Sequence, residues 1–425
     1  MADYHFEFDA GVEKAEGRIL EEELLYHISP GVGEEVDLGD SLEECLSDPE
    51  GKDPLSAAGL EKSKVVLIAD DLTRPTPQSD VMPFLLDYLN RIGVEDEDVS
   101  ILVALGTHRY MEEEEILERF GVEVVERIDV VNHRWRNEDN LVDLGVTEDG
   151  IPIEVNKLAV EADYLIGVGS IVPHVQAGWG GGCKILQPGI CSDKTIKETH
   201  LLAAEQEDYL GLAGKAENPV REKIEDIALE AGLDFIVNVV FDGEGKVVDV
   251  VCGHPVKAHL RGVERASEIF VRDIPEPADI VVAEAYPAEV DYWQGIKALA
   301  HAQRGVRRGG KSILVADFGE GISPVHTEVA ECARRPSGGI WRMWEDGELE
   351  DGVGVAALIL HAEIMKHSDV ICVSSRMLEE EKDKLGFESA DSLQEALNLA
   401  RGDVSGEPSI GIIEKGGDVL PRVEK

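Results

Sequence analysis

Residues 173–184 place a histidine, three consecutive glycines and a lysine in one short segment, in the order Pro-His-Val-Gln-Ala-Gly-Trp-Gly-Gly-Gly-Cys-Lys. Gly180, Gly181 and Gly182 carry no Cβ, so the backbone there can approach a ligand closely and turn its N–H groups toward it. Lys184 follows at once and points into the same space. We therefore expect this loop to bind a ligand.

The chemistry expected of Lys184 is nucleophilic. A lysine in a partly desolvated pocket loses its proton and can form a covalent adduct with a cofactor. The loop is not a Walker A sequence, because Ile185 stands where that motif needs a hydroxyl residue. His200 follows 16 positions after Lys184, in a helix predicted to start near Ser192, and could give one nitrogen to a borderline metal. One protein ligand holds a metal poorly, so the remaining ligands would come from a bound group.

His108 and His174 are the candidates for acid–base catalysis. An imidazole with a pKa near 6.5 can both accept and donate a proton at neutral pH, and two of them could serve opposite faces of one substrate. The alternative for each is a structural histidine held by hydrogen bonds. We assign that structural role to the other histidines considered, which are His133, His254, His259, His301, His326, His361 and His367.

The segment Asp71-Leu72-Thr73-Arg74 is the second candidate ligand loop. The planar guanidinium of Arg74 matches a carboxylate or phosphate in bidentate fashion, on a loop that enters a helix N-terminus. Asp71 could orient an imidazole or the arginine, and Thr73 could donate a hydroxyl to a phosphate. The alternative is a local Asp–Arg pair at the surface.

The elements that must position these residues are short parallel strands. Residues 64–69, 99–104 and 162–168 are apolar, β-branched runs, and each precedes one of the polar motifs. In open α/β sheets the ligand crevice lies beyond the carboxyl ends of the strands, so these motifs are expected to share one site. A helix is predicted from about residue 80, capped by Ser79, to near Gly93.

The remainder of the chain predicts a second α/β unit. Residues 235–240 and 246–251 indicate a hairpin, and residues 255–271 a helix. Further strands are predicted at 278–283, 312–316, 369–373 and 409–413, with a helix opening at 291–297. The predicted fold is α/β, with a cofactor-binding domain at 1–272, a domain contributing substrate contacts at 273–425, mainly parallel sheets, and the active site in the cleft between them.

Composition restricts the partners. The 425 residues contain 40 basic and 87 acidic side chains, a formal net charge of −47 that would repel nucleic acids and anionic membranes. The six cysteines show no CxxC spacing and are expected to be reduced thiols. The N-terminus does not resemble a signal peptide, and no apolar run is long enough to cross a membrane. A cytoplasmic protein is predicted.

Taken together, these motifs resemble the lactate racemase family, the nickel-pincer-nucleotide enzymes. The likeness runs from about residue 10 to about residue 420. The segments that carry it, in this order and spacing, are Asp71-Leu-Thr-Arg74, Gly106-Thr-His108-Arg109, Pro173-His174, Gly180-Gly-Gly-Cys-Lys184, His200 and Gln294-Gly-Ile-Lys297.

The resemblance implies a cofactor and its attachment. The cofactor would be a nickel(II) complex of pyridinium-3,5-bisthiocarboxylate mononucleotide, tethered covalently to the residue that matches the family lysine, Lys184. His200 matches the nickel ligand contributed by the protein, and residues 71–74 would contact cofactor and substrate. Proteins that synthesise the cofactor would be partners.

The resemblance also implies the reaction. His108 and His174 match the catalytic bases, while Gln294 and Lys297, together with Arg74, would bind the carboxylate of a 2-hydroxy acid. The enzyme would racemise or epimerise this acid by moving its hydroxyl proton to a histidine and its α-hydride to the cofactor. Trp293, where a tyrosine is expected, and the small residues of 352–356, where an aromatic is expected, leave open lactate or a larger acid.

Two other functions fit part of the pattern. A metal-dependent hydrolase would use His108, His174 and His200 as a zinc set, with Lys184 as an electrophile. A non-catalytic protein that stores or delivers nickel or the cofactor would need the binding residues but not the two bases.

Overall fold

Two six-stranded sheets form the framework of the protein, described by a computed structural model that covers residues 2–10 and 13–424. The strands are β1 (Asp3–Ala10), β2 (Glu13–Leu20), β3 (Leu24–Ile28), β4 (Val65–Asp70), β5 (Val99–Ala104), β6 (Asp129–Asn132), β7 (Leu141–Val146), β8 (Pro152–Asn156), β9 (Tyr164–Ser170), β10 (Pro173–His174), β11 (Gly178–Trp179), β12 (Phe235–Phe241), β13 (Val247–Gly253), β14 (Val271–Ile274), β15 (Ala278–Glu284), β16 (Val306–Val315), β17 (Asp369–Val373), β18 (Glu388–Ser389), β19 (Ile410–Ile413) and β20 (Leu420–Val423).

Helices cover both sheets. They are α1 (Leu38–Ser47), α2 (Gln78–Arg91), α3 (Glu113–Phe120), α4 (Val122–Arg127), α5 (Lys157–Val160), α6 (Asp193–Ala204), α7 (Pro219–Glu230), α8 (Lys257–Phe270), α9 (Tyr292–Ala302), α10 (Glu328–Cys332), α11 (Ser337–Glu345), α12 (Gly352–His367), α13 (Glu379–Leu385) and α14 (Leu393–Asp403). Within the described ranges, no helix has the length and apolar character needed to span a membrane.

The first sheet has the order β13-β12-β9-β4-β5-β6, and all its pairings are parallel except the β12–β13 hairpin. Strands β4 and β9 are buried along their whole length, as expected for parallel strands with helices on both faces. The three strands predicted to carry the polar motifs, β9, β4 and β5, are direct neighbours. Their carboxyl ends therefore open onto one edge.

The second sheet has the order β18-β17-β16-β15-β19-β3 and is parallel throughout. The predicted α/β class with mainly parallel sheets is confirmed. The last strand of this sheet, β3, comes from the N-terminal segment and pairs with β19. The division of the chain at residue 272 stays a prediction. Strand β3, from the N-terminal segment, nevertheless belongs to the second sheet. The sequence did not predict this pairing, because strands so far apart in the chain leave no local pattern.

The start of α2 differs from the prediction. The helix begins at Gln78 after Pro77, with no side-chain cap, so the predicted Ser79 cap is wrong. The Gln78 side chain donates to the buried Asp70 carboxylate at 2.8 Å, which ties the first turn of the helix to the end of β4. A tertiary hydrogen bond thus replaces the local cap.

The cysteines also differ in part. Cys45 of α1 and Cys252 of β13 form a disulfide, so the expectation of six reduced thiols is wrong for this pair. Helix α1 packs on β13 and brings together two cysteines 207 residues apart, a contact that cysteine spacing does not reveal. Cys183, Cys191, Cys332 and Cys372 are free and buried.

Candidate active site

One cavity lies at the carboxyl edge of the first sheet and is closed by α6, α9 and α12. The predicted site residues that line it are Asp71, Arg74, His108, His174, Gly180, Gly181, Lys184, His200, Gln294 and Lys297. Leu72 and Thr73 line an adjoining cavity on the other side of His108. Gly182 lies behind the wall, where its N–H donates to the Asn238 amide oxygen at 2.8 Å.

His108 is held by a buried carboxylate. Its Nδ1 lies 2.7 Å from Asp71 Oδ2, while Asp71 Oδ1 accepts the Thr73 hydroxyl at 2.5 Å. Burial raises the pKa of Asp71, but the charge and hydrogen bond of His108, with Arg74 and Thr73, bring the pKa well below its usual value. The carboxylate is therefore ionised and accepts the Nδ1 proton of His108, which leaves Nε2 for a second hydrogen bond.

Gln294 and Lys297 approach His108 from the C-terminal unit. The Gln294 amide nitrogen donates to His108 Nε2 at 3.0 Å, and Lys297 Nζ donates to the Gln294 oxygen at 2.6 Å. Asp291 caps α9 by accepting the Gln294 N–H at 2.8 Å. Gln294 and Lys297 are three residues apart in this helix, so their side chains lie on one face. Burial, with the charge of Arg74, lowers the pKa of Lys297 to about 7.

His174 has the opposite proton arrangement. Its Nδ1 accepts the backbone N–H groups of Gln176 and Ala177, each at 3.2 Å, so the neutral ring carries its proton on Nε2. Burial, followed by the positive charges of Lys184 and Lys297, holds the pKa of His174 well below its usual value. His174 is thus a neutral hydrogen-bond donor toward the cavity.

Lys184 lies in a short 3-10 turn, Gly182–Ile185, entered through Gly181 at a φ of 73°. Within the described ranges its Nζ makes neither a hydrogen bond nor an ion pair. Burial, and then the charges of Arg74 and Lys297, lower the pKa of Lys184 well below its usual value. A lowered pKa makes the amine easier to deprotonate, and the deprotonated form is a nucleophile.

His200 projects from α6, which begins after the N-cap Ser192 as predicted. Its Nδ1 donates to the Ile196 carbonyl at 2.9 Å, one helical turn back, which leaves Nε2 with a lone pair. Burial lowers the pKa of His200 to about 4, so the ring is neutral. A histidine fixed at one nitrogen in this way is the usual form of a metal ligand.

The described residues contain no group of three or more His, Cys, Asp or Glu side chains that could hold a metal ion. His108 and His174 each use Nδ1 within the protein, and His108 Nε2 is occupied by Gln294. The three-histidine zinc set is therefore not supported.

Several groups at the site went unnoticed in the sequence. Asp70, beside Asp71, accepts from Thr76, Gln78 and Arg119 and lines the cavity. Ser170, at the end of β9, also lines it, and its buried hydroxyl has no hydrogen-bond partner in the part of the chain that the structure describes. Asp70 ends β4 and Ser170 ends β9, and this position is the sequence signal that could have identified them as site residues.

The C-terminal unit adds a wall and a histidine. Trp293 and the small or aliphatic side chains of Val353, Ala357 and Leu360 line the cavity, and His326 stacks on the outer face of Trp293. His326 is hydrogen-bonded, as expected of a structural histidine, but no local motif placed it beside the site.

The comparisons with known proteins all point to one family. The family model described as the lactate racemase N-terminal domain matches residues 11–211. The lactate racemase of Thermoanaerobacterium thermosaccharolyticum is 32% identical over 422 residues, which cover 98% of this chain and 96% of that protein. The lactate racemase of Lactiplantibacillus plantarum is 30% identical over 312 residues, covering 73% and 72%.

Solved structures give the same picture. The lactate racemase apoprotein from T. thermosaccharolyticum superposes with a TM-score of 0.87 at 30% identity, covering 99% of this chain and 100% of that one. A crystal structure of a protein from Thermotoga maritima has a TM-score of 0.73 at 23% identity, covering 93% and 100%, and shares the fold. The chain therefore belongs to the lactate racemase family, whose named members are isomerases.

Proposed function

We propose that this protein racemises or epimerises a 2-hydroxy acid, lactate or a larger one, with a nickel pincer nucleotide tethered to Lys184. The observation that carries the proposal is that the imidazoles of His108 and His174, held at Nδ1 in opposite ways, line one cavity with the amine of Lys184, whose pKa burial lowers. The relatives' name, lactate racemase, supports lactate as the first substrate to test.

The cavity fits the proposed cofactor. Two groups face it without a partner among the described residues, the Lys184 amine and His200 Nε2. An amine to tether the group and one nitrogen for a metal are a donor set of the kind that this cofactor needs. When bound, the cofactor would take and return the hydride of the substrate's α-carbon.

The chain's own residues would bind and deprotonate the substrate. Arg74 and Lys297 supply positive charge for its carboxylate, which a protein of net charge −47 must provide locally. His108 Nε2 would accept the hydroxyl proton once the Gln294 amide turns to the substrate, while Asp71 stabilises the imidazolium.

His174 would serve the other enantiomer of the substrate. Its Nε2–H would hydrogen-bond to the oxygen of the planar 2-oxo acid. A proton taken up from the medium would make the ring an imidazolium, which would donate to this oxygen and become neutral again. In the reverse direction the neutral ring would be the base, and His108 would exchange its proton with the medium in the same way. Proton and hydride together return to the 2-oxo acid, so no external oxidant or reductant is consumed. Each turnover that inverts the substrate therefore needs one ring as the base and the other as the acid.

The decisive test is intact-mass analysis of denatured protein made in cells that supply the cofactor, with nickel measured on the native sample. We expect a mass increment that Lys184→Ala abolishes and that Lys215→Ala, which removes an exposed lysine paired with Asp208, retains. Loaded enzyme should exchange the α-hydrogen of one 2-hydroxy acid in a broad panel. A loaded protein that exchanges none would instead be a cofactor carrier. A cytoplasmic location and cofactor-synthesis partners remain predictions.

A further inference from the structure

Three consecutive side chains of the loop after β5 bond across the cleft to the C-terminal unit. Thr107, His108 and Arg109 each contact one side chain there: His326 at 3.1 Å, Gln294 at 3.0 Å and Glu320 at 3.4 Å, respectively. The Arg109–Glu320 pair is partly exposed and contributes little to stability. The contact of Thr107 with His326 is buried, so it fixes the loop more firmly.

His326 is oriented by a carboxylate of its own. Its Nδ1 lies 2.6 Å from Asp351 Oδ2, and Asp351 caps α12 by accepting the Gly354 N–H at 2.9 Å. With Nδ1 held by this carboxylate, His326 turns Nε2 to the Thr107 hydroxyl, 3.1 Å away. His326 is 3% exposed, so breaking this bond would leave a buried polar group unpaired.

The arrangement mirrors the one at His108. In each case an aspartate holds Nδ1, and Nε2 accepts a proton donor from the opposite unit: Gln294 for His108 and Thr107 for His326. The two contacts run across the cleft in opposite directions.

His326 also supports the wall of the cavity. Its ring stacks on Trp293 with a centroid distance of 4.0 Å and an interplanar angle of 18°. Trp293 lines the cavity and precedes Gln294, the residue that contacts His108. His326 therefore contacts Thr107, the neighbour of His108, across the cleft. Within its own unit it contacts Trp293, the neighbour of Gln294.

We propose that His326 is a positioning residue, which aligns His108 with Gln294 in the closed cleft through its contacts with Thr107 and Trp293. Its effect on catalysis rests on the function proposed above, whereas its effect on the loop does not.

The first test measures the loop by amide hydrogen exchange in protein without cofactor. Gly106 N–H donates to the Gly189 carbonyl and His108 N–H to the Leu105 carbonyl, so both amides are protected while the loop is held. We expect exchange at least about tenfold faster in Thr107→Val and His326→Phe, because local opening is no longer opposed by the buried bond. Thr107→Ser, which keeps the hydroxyl, should exchange like the unmodified protein.

His367→Phe is the matched control, because it removes a histidine that bonds the Val306 carbonyl away from the cleft. It should leave both amides protected. Unchanged protection in Thr107→Val and His326→Phe, or equal loss in Thr107→Ser and Thr107→Val, would overturn the proposal. The Thr107 pair decides the matter even if His326→Phe does not fold.

The second test is kinetic and uses cofactor-loaded enzyme. Misplacement of His108 should lower kcat roughly tenfold or more in Thr107→Val, with KM nearly unchanged, because the carboxylate-binding side chains stay in place. Thr107→Ser should restore kcat. A rise in KM with unchanged kcat would contradict positioning. If neither the parent enzyme nor any variant racemises an acid, the proposed function fails. The amide hydrogen exchange result still tests the positioning of the loop, so the two failures can be told apart.

Discussion

Asp71 accepts the Nδ1 proton of His108 at 2.7 Å and so decides which nitrogen of that ring faces the cavity. The aspartate follows β4 and the histidine follows β5, the neighbouring strand of the sheet. Since parallel strands end at one edge, two residues 37 positions apart form a hydrogen-bonded pair without any local motif that joins them.

Asp71→Asn should lower kcat by about a hundredfold or more, because the amide no longer stabilises the imidazolium and can hold the wrong tautomer. The measurement is the α-hydrogen exchange rate of loaded enzyme, with the mass increment at Lys184 recorded in parallel. The increment should persist, which separates a defect in proton transfer from a defect in loading. A fully loaded variant with unchanged kcat would show that Asp71 does not act through His108.

KM for the 2-hydroxy acid should rise with pH above about 7. Burial lowers the pKa of Lys297 to about 7, so the proposed ligand of the carboxylate would be charged below that pH and neutral above it. Well above the pKa the loss approaches tenfold per pH unit. The check is KM measured from pH 6 to pH 9.

Lys297→Arg is the control for this pH dependence, because a guanidinium stays charged throughout that range. Its KM should be independent of pH, even if it is higher at every pH. A flat KM in the unmodified enzyme would mean that Lys297 does not bind the carboxylate in its charged form.

The polar residues that follow predicted strands include most of the candidate site, but the sequence predicted few of the residues that support it. Apolar runs located β4, β5 and β9, and the polar residues after them line one cavity, because the sheet order makes these strands neighbours. The roles of these residues stay predictions.

What the sequence did not reveal depends on contacts between distant segments. The pairing of β3 with β19 and the disulfide between Cys45 and Cys252 have no local pattern. His326 looked like one more structural histidine, since its partners Thr107 and Asp351 belong to different parts of the chain.

The disulfide should be measurable by thiol count and by stability. Denatured protein, without reductant, should titrate four thiols rather than six. Reduction, or Cys45→Ser, should lower the free energy of unfolding by about 4 to 5 kcal/mol, because the bond closes a very long loop in the unfolded chain. Urea unfolding with and without reductant gives the difference. Six titratable thiols would show that the pair is not bonded.

Arg221 should prove essential for the glycine loop that carries Lys184. It is 2% exposed, and its guanidinium donates to the backbone carbonyls of Ala177, Trp179 and Gly181. Arg221→Met leaves these carbonyls without their donor, at about 1 to 3 kcal/mol for each one that stays buried and unpaired. We expect a loss of about 3 kcal/mol or more in urea unfolding and a reduced mass increment at Lys184.

Arg221→Lys should not rescue the loop, because one ammonium cannot reach three carbonyls that a planar fork spans. Arg422→Met, which removes an exposed partner of Asp273, should change the unfolding free energy by less than about 1 kcal/mol. Full cofactor loading in an Arg221→Met protein of unchanged stability would mean that the glycines hold the loop by their own turn geometry. Reduced loading at unchanged stability would instead place the role of Arg221 in presenting the Lys184 amine.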